Sequence, residues 1–260
     1  MANKTLTLIK SLLSPGYEGS GELLELPVSS GEDKFKLKLS GQKESGKLLF
    51  LSPGFGANSR DYGPLTRLFE NGSLVVRLSH LGSTKLDFLS SVFRLFWASL
   101  RHGLSSQQAI LSARSWIHRE ENRQRRLNQL TAAITEVRRL YPSHKISLAG
   151  HSFGSDTTLL YALRYPVNEL YLFSPHPPGY LIKKNSYQDI RAKKIWVISG
   201  SRDYTHDGVG PSERLSLGSV IPTEKLQNTI CLQGVAHMDF AYQGLGPEGW
   251  REQLSLKLRR

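Results

Sequence analysis

The chain has 260 residues, of which 39% are hydrophobic, and its 34 lysines and arginines against 22 acidic residues give a net charge of +12. This length accommodates one α/β domain with a substantial core, and no apolar run approaches the ~18 residues of a transmembrane helix. The single Cys231 cannot form an internal disulfide or build a metal site alone, which is typical of a reducing compartment, so we expect a cytoplasmic protein.

Segments with strand-like and helix-like patterns alternate along the chain. Eight strands are predicted, at residues 23–28, 35–39, 47–51, 74–78, 146–149, 170–173, 194–199 and 229–233. Helices are predicted at residues 62–71, directly after the fifth strand, and at residues 247–256. This order predicts one α/β domain over residues 1–260, with a mostly parallel sheet of about eight strands flanked by helices.

A long helical insertion is predicted between the fourth and fifth strands, at residues 86–140. Its second half is an amphipathic helix by the spacing of Leu127, Leu130, Ile134 and Val137. Its first half has a broad apolar face rich in aromatic residues, formed by Leu89, Val92, Phe93, Phe96, Trp97 and Leu100. We interpret this face as a helix packed on the sheet. The alternative is a lid or interfacial helix over a functional site, because aromatics with interspersed arginines suit a lipid–water boundary.

Basic residues gather further along this insertion, at His118, Arg119, Arg123, Arg125 and Arg126. The cluster predicts a solvated helix face, with anion binding as the alternative. A basic protein attracts anions of any kind. Because the sequence has no zinc-finger spacing, ribonucleoprotein motif or recognition-helix pattern, we expect no specific nucleic-acid partner. We interpret the positive charge as a basic surface that aids solubility. The alternative is attraction to an anionic membrane surface, which would make the protein peripheral to a membrane.

A serine stands at a sharp predicted turn in the middle of the chain. Residues 146–163 read I-S-L-A-G-H-S-F-G-S-D-T-T-L-L-Y-A-L, in which a strand-like run stops at Gly150 and a helix-like run follows Ser152. Such a turn in a G-x-S-x-G motif holds the serine hydroxyl exposed beside a base. Gly150 and Gly154 allow the tight turn. The motif therefore predicts a serine hydrolase with Ser152 as the nucleophile.

A nucleophilic serine needs a histidine base and an acid that orients it. His237 follows the last predicted strand, where a loop would bring its imidazole over the sheet edge that carries Ser152. Asp203 follows the strand before it, past a glycine that permits a turn, and Asp207 is its nearest rival. The chain order of serine, acid and histidine matches the elbow motif, so Ser152, Asp203 and His237 are the predicted catalytic residues.

Two backbone N–H groups are predicted to form an oxyanion hole. One belongs to Phe153 at the start of the helix after Ser152, and the other to Phe55 in the loop after the third strand. That loop reads S-P-G-F-G-A-N, whose glycines let the backbone approach a substrate closely. Substrate binding is assigned to Gly54, Gly56, His151 and His176.

These residues resemble the pattern of the α/β-hydrolase fold family. The turn around the serine matches the family's motif at Gly150, Ser152 and Gly154. The predicted acid and base, Asp203 and His237, follow the family's chain order. The stretch P-G-F-G-A-N-S-R-D-Y-G-P-L and the later G-H-S-F-G are similar to dienelactone-hydrolase-like and platelet-activating-factor-acetylhydrolase-like esterases. The resemblance covers about residues 47–240.

The chain departs from these relatives at three points. Pro53-Gly54 stands where the oxyanion loop often has His-Gly, and Ser152 where dienelactone hydrolases proper have cysteine. The loop after residues 170–173 lacks the carboxylate of the acetylhydrolase pattern.

The resemblance implies hydrolysis of a small or lipid-like carboxylic ester through an acyl-enzyme intermediate, with no metal or organic cofactor. The alternatives are a thioesterase or amidase with the same residues, and a non-catalytic or peripheral membrane-binding protein that retains the fold.

Overall fold

The structure is a computed structural model that describes residues 24–57, 61–80, 90, 93, 97, 101, 119–204, 209–241 and 247–258. Its strands are β1 (Leu24–Ser30), β2 (Asp33–Gly41), β3 (Lys47–Ser52), β4 (Leu74–Arg77), β5 (Lys145–His151), β6 (Val167–Phe173), β7 (Ala192–Arg202) and β8 (Leu226–Ala236). Its bounded α-helices are α1 (Gly63–Glu70), α2 (Glu120–Leu140), α3 (Phe153–Arg164), α4 (Pro211–Leu215) and α5 (Trp250–Leu258). Short 3-10 turns lie at Lys43–Ser45, Lys184–Asp189, Ser216–Val220 and His237–Phe240.

The eight strands form one sheet in the order β1-β2-β4-β3-β5-β6-β7-β8. β2 is antiparallel to both β1 and β4, and all the other neighbouring pairs, from β4 to β8, are parallel. The predicted α/β fold with a mostly parallel, eight-stranded sheet is therefore confirmed. Because the parallel strands all end at the same edge, the loops that follow them converge there.

Side chains of the central strands alternate between two cores, as the period of two in an extended chain requires. On β3, for example, Leu48 and Phe50 pack into one core, and Leu49 and Leu51 into the other. The first core also contains the buried faces of α2 and α3. The second contains residues of α1 and α5. The sheet is thus covered by helices on both faces.

Predicted and observed strands overlap throughout, and the observed ones are often longer. β7 and β8 each extend at least two residues beyond their apolar centres at both ends. Most of the added residues are polar or small, so hydropathy does not mark them, and backbone pairing with a neighbouring strand holds the strand ends. Leu226 and Val235 of β8 are the apolar exceptions. In α2, the four predicted apolar residues are all buried. The first half of the predicted insertion lies outside the described residues, apart from residues 90, 93, 97 and 101, which are helical.

Leu130 tests how much the α2 interface contributes to stability. It is 0% exposed in the first core, whereas Leu140 at the end of the same helix is 44% exposed. We expect Leu130→Ala to lower the free energy of unfolding by about 2–5 kcal/mol, since it removes buried methyl groups and leaves a cavity. Leu140→Ala is the matched control and should change it by less than about 0.5 kcal/mol. Urea denaturation measures both, and equal effects would contradict this packing.

Candidate active site

Ser152 occupies the turn between β5 and α3 in a conformation that is rare for a residue with a side chain. Its φ is 55° and its ψ is −123°, which costs on the order of 1–3 kcal/mol of backbone strain. The neighbouring strand holds the turn, because Ser152 N–H donates to the Phe173 carbonyl at 2.9 Å. The helix holds it too, because Ser155 N–H donates to the Ser152 carbonyl at 2.8 Å. This strand–turn–helix is the predicted elbow.

The two motif glycines are required by close backbone approach. A Cβ on Gly150 would overlap the Gly154 carbonyl, and a Cβ on Gly154 would overlap the carbonyl of Ser52 at the end of β3. The elbow is therefore pressed against the strand that leads into the predicted oxyanion loop. Any larger residue at either position would push these backbone segments apart.

Asp203 and His237 meet at the ends of neighbouring strands. β7 and β8 are paired at their last residues, Arg202 and Ala236. Asp203 follows β7 directly, and His237 follows β8 directly. His237 Nδ1 lies 2.7 Å from Asp203 Oδ1. Because an ionised carboxylate can only accept, Nδ1 carries a proton, and in the neutral ring Nε2 has the free lone pair. The histidine is thus arranged as a proton acceptor at Nε2.

Three further side chains surround the Asp203 carboxylate. Ser174 Oγ and Ser199 Oγ donate to its Oδ2 at 2.5 and 2.8 Å. The buried Arg214 places Nε 3.2 Å from Oδ1. Burial raises the pKa of the Asp203 carboxyl, but its hydrogen bond with His237 and the charges of His237 and Arg214 outweigh burial, and the pKa lies well below its usual value. Asp203 is therefore ionised although it is fully buried.

Sequence patterns gave no signal for these three partners. Arg214 lies in the five-residue α4 and hydrogen-bonds the carbonyls of Ser174 and Pro175. Serines and arginines are common at surfaces, and only their burial marks them here.

The prediction that the basic cluster forms a solvated helix face is wrong for Arg126. It is 1% exposed, donates to the Pro53 carbonyl in the oxyanion loop, and donates to Thr157 Oγ1 on α3 at 3.2 Å. Its guanidinium lies 4.9 Å from the centre of the Phe153 ring. Burial lowers its pKa to about 9. Its neighbour Arg125 is exposed as predicted, and pairs with Asp33.

The predicted oxyanion residues lie beside each other. Phe153 is the first residue of α3, and Phe55 follows β3 in the loop that Arg126 holds. The two rings meet edge to face with centroids 6.0 Å apart. Gly56 has φ 79°, which favours glycine. A Cβ on Gly54 would come within 3.4 Å of His151.

His151 and His176 are engaged within the protein. His151 is 2% exposed, and its two ring nitrogens contact Tyr62 Oη at 2.7 Å and the His237 carbonyl at 2.9 Å. His176 Nδ1 lies 2.9 Å from the Asp156 carboxylate, and its ring stacks on Tyr180 at 4.3 Å. Their assignment to substrate binding stays a prediction, and these contacts favour a structural role for His151.

A second buried histidine contacts the end of β3, the strand that leads into the predicted oxyanion loop. His80 follows β4, and its Nε2 accepts from Ser52 Oγ at 2.9 Å, because its Nδ1–H donates to Gln129 Oε1 at 3.0 Å. Gln129 in turn donates to Asp33 at 2.6 Å. Desolvation by burial lowers the pKa of His80 well below its usual value, so His80 is neutral at neutral pH and the hydrogen bonds from Ser52 to Asp33 keep these directions.

Further predictions concern the hydrogen bond between Ser152 and His237 and the alternative acids. Among the described residues, no hydrogen bond joins the Ser152 hydroxyl to His237, a link that often tightens only when substrate binds. Asp207, the rival acid, lies outside the described residues. Asp239, two residues after His237, accepts from the nearby Ala236 N–H at 2.7 Å.

Within the described ranges, no group of three or more His, Cys, Asp or Glu residues could hold a metal ion, and no helix there is long and apolar enough to cross a membrane.

No protein-family model matches this chain, and no curated protein sequence matches it. Solved structures resemble it over most of its length. A dienelactone hydrolase from Anabaena variabilis is 15% identical, with 90% of this chain and 94% of that chain covered and a TM-score of 0.60. The esterase domain of a Rhodothermus marinus protein is 12% identical, with 91% and 96% covered and a TM-score of 0.60. A serine hydrolase without lid from Xanthomonas campestris is 15% identical, with 95% and 97% covered and a TM-score of 0.60.

At such identities the likeness establishes the fold alone, which is the α/β-hydrolase fold. The family resemblance of the sequence motifs is thus confirmed at the level of the fold. The roles of individual residues depend on the geometry described above.

The buried neutral histidines predict loss of stability in mild acid. The pKa values of His80 and His151 both lie well below 6.5, chiefly through desolvation. Below about pH 6.5 these two histidines are therefore protonated in the unfolded chain, whereas they stay neutral in the folded chain. Each histidine should lower the free energy of unfolding by up to about 1.4 kcal/mol per pH unit as the pH falls from 6.5 towards its folded pKa.

Urea denaturation between about pH 7.5 and 5 measures this slope. His80→Gln removes one titrating group and should flatten it. The depressed pKa of Asp203 contributes stability that is lost only as the pH falls below about 3.8, so this window separates the two effects. An unchanged slope in His80→Gln would contradict the neutral state of His80.

Proposed function

We propose that this protein is a serine hydrolase that cleaves carboxylic esters, with Ser152 as nucleophile, His237 as base and Asp203 as the orienting acid. The observation that carries the proposal is the 2.7 Å contact of His237 with Asp203 at the sheet edge where Ser152 occupies its strained turn. The His151 ring, which adjoins Ser152 in the chain, lies 4.8 Å from the His237 ring. Similar structures named as esterases and hydrolases support the same chemistry.

The proposed reaction has two steps. Ser152 Oγ attacks the acyl carbon while its proton passes to His237 Nε2, and the ionised Asp203 stabilises the resulting imidazolium. The backbone N–H groups of Phe55 and Phe153 are the proposed donors to the oxyanion. The alcohol then leaves with the proton from His237, and Ser152 retains the acyl group. In the second step His237 takes a proton from water, which attacks the acyl carbon, and His237 then gives that proton to Ser152 Oγ as the bond to the acyl group breaks and the acid leaves.

Apolar acyl groups fit the surroundings of the proposed oxyanion hole. The rings of Phe55 and Phe153, the residues whose N–H groups are the proposed donors, meet edge to face, and Phe55 is partly exposed. We therefore propose small or lipid-like acyl esters as substrates. Thioesters and amides are the alternatives, because the same residues serve all three leaving groups. Comparing an ester, a thioester and an amide of one acyl group separates them.

Labelling with a fluorophosphonate probe tests the nucleophile and its base. The unmodified protein should be labelled, and Ser152→Ala should not be labelled at all. His237→Ala should slow labelling by about 10²–10⁴-fold, since the serine loses its general base. Ser219→Ala, which changes an exposed serine, is the control and should be labelled normally. A folded, unmodified protein that is not labelled would contradict the proposal.

Attachment to an anionic membrane surface is a second candidate function, separate from hydrolysis. Phe93 and Trp97 are 64% and 50% exposed, and their ring centroids lie 6.0 Å apart. Their spacing, continued by the exposed Arg101, places all three on one helix face. Exposed aromatics beside a cation suit the interface of an anionic bilayer, and the net charge of +12 is complementary to it.

Vesicle flotation tests this attachment. The protein should float with phosphatidylglycerol vesicles and much less with phosphatidylcholine vesicles, and salt should weaken the binding because it screens the charges. The double variant Phe93→Ser/Trp97→Ser should lose most of the binding. Leu256→Ser, which removes a 62% exposed apolar residue on α5, is the matched control. Equal binding of both variants would contradict the role of this helix face.

A further inference from the structure

Tyr62 and His151 form a continuous hydrogen-bonded bridge between three segments of the candidate site. Gly54 N–H, in the oxyanion loop, donates to Tyr62 Oη at 2.7 Å. Tyr62 Oη lies 2.7 Å from His151 Nδ1, directly before the Ser152 turn. His151 Nε2 lies 2.9 Å from the backbone carbonyl of His237. One chain of contacts therefore joins the oxyanion loop, the elbow and the loop that carries the base.

The direction of each hydrogen bond follows from the acceptors. The His237 carbonyl can only accept, so His151 Nε2 carries the ring proton. His151 Nδ1 in a neutral ring is then an acceptor, and the Tyr62 hydroxyl must donate to it. The same hydroxyl oxygen accepts from Gly54 N–H. This direction requires a neutral His151, and desolvation by burial favours that state by lowering the pKa of His151 well below its usual value.

The bridge is closed off from water and packed on all sides. Tyr62 and His151 are 1% and 2% exposed. The His151 ring lies 4.8 Å from the His237 ring and 5.8 Å from the Phe240 ring. At this burial, a lost link would leave polar groups unpaired, and the segments would have to move to satisfy them.

We propose that Tyr62 and His151 are positioning residues for the ester hydrolysis proposed above, because they fix the oxyanion loop and the base relative to the nucleophile. Neither residue needs to touch the substrate. Their effect falls on contacts that strengthen in the transition state: the N–H of Phe55 to the oxyanion and His237 Nε2 to the moving proton. Loss of the bridge should therefore lower kcat and leave KM almost unchanged.

Two variants at position 151 separate the two links of the bridge. In His151→Gln the side-chain amide can still donate to the His237 carbonyl, as Nε2 does, but the link to Tyr62 is lost. In His151→Asn the side-chain oxygen can still accept from Tyr62, as Nδ1 does, but the link to His237 is lost. Tyr62→Phe removes the hydroxyl and keeps the ring. Tyr62→Phe and His151→Gln thus break the same link from its two sides.

The experiment measures kcat and KM for p-nitrophenyl butyrate with each variant, well below its melting temperature. Tyr62→Phe and His151→Gln should each lower kcat by about 10–100-fold, the scale of an active-site misplacement of ~1 Å, with KM within about threefold. The double variant should be no more than about threefold slower than the slower single variant, because both changes remove one link. His151→Asn should also lower kcat.

Tyr187→Phe is the control for loss of a buried tyrosine hydroxyl, since Tyr187 is 1% exposed in the 3-10 turn before β7. It should lower the melting temperature and leave kcat within about twofold. If Tyr62→Phe and His151→Gln also lower only the melting temperature, or if their effects on kcat multiply in the double variant, the positioning role is overturned. Wild-type protein that is folded but neither labelled by fluorophosphonate nor active would instead overturn the proposed hydrolysis, and this role with it.

Discussion

The close contact between the Ser152 turn and the end of β3 is the constraint on which the rest of the site depends. Gly154 is pressed against the Ser52 carbonyl, and Ser152 is held at a positive φ by hydrogen bonds to β6 and α3. A turn this tight sets the serine above the sheet edge and places the start of α3 beside the loop that follows β3. One packing contact therefore fixes both the proposed nucleophile and the proposed oxyanion donors relative to each other. The backbone strain at Ser152 persists because the surrounding sheet determines it.

Buried polar groups provide a second layer of organisation around this turn. Two arginines that are almost fully buried each contact a segment of the candidate site: Arg126 donates to the Pro53 carbonyl, and Arg214 lies against the Asp203 carboxylate. Two buried histidines, His80 and His151, have lowered pKa values and act as neutral connectors. An unpaired polar group in a low-dielectric interior is costly, so each of these contacts resists displacement. The candidate site is therefore supported by buried polar groups that have partners within the protein.

The sequence could predict most of the fold and the outline of the site. Apolar periodicity located all eight strands, since each central strand buries side chains on both faces of the sheet. The G-x-S-x-G motif, a carboxylate after β7 and a histidine after β8 each follow a strand end, and parallel strands bring such ends together. Strand lengths are underestimated at β7 and β8, because most of their outer residues are polar or small and backbone pairing holds the strand ends.

Arg126 shows where sequence reasoning fails. It lies in a run of arginines and glutamates typical of an exposed helix, yet α2 turns it inward towards the Pro53 carbonyl and the Phe153 ring. Arg125, one residue earlier, points to the surface. A difference of one position, about 100° around a helix, separates a solvated arginine from a buried one, and the pattern of charges alone could not assign it.

The amino-acid sequence by itself thus determined the order of strands and helices, the tight turn at Ser152 and the chain positions of the proposed acid and base, because local propensity and periodicity depend on neighbouring residues. Only the tertiary structure decided which side chains support them. The contacts of Tyr62 with His151, Arg214 with Asp203, and His80 with Gln129 and Ser52 join residues that are 11 to 89 positions apart. Such contacts depend on how layers pack in space, and no local pattern along the chain encodes them.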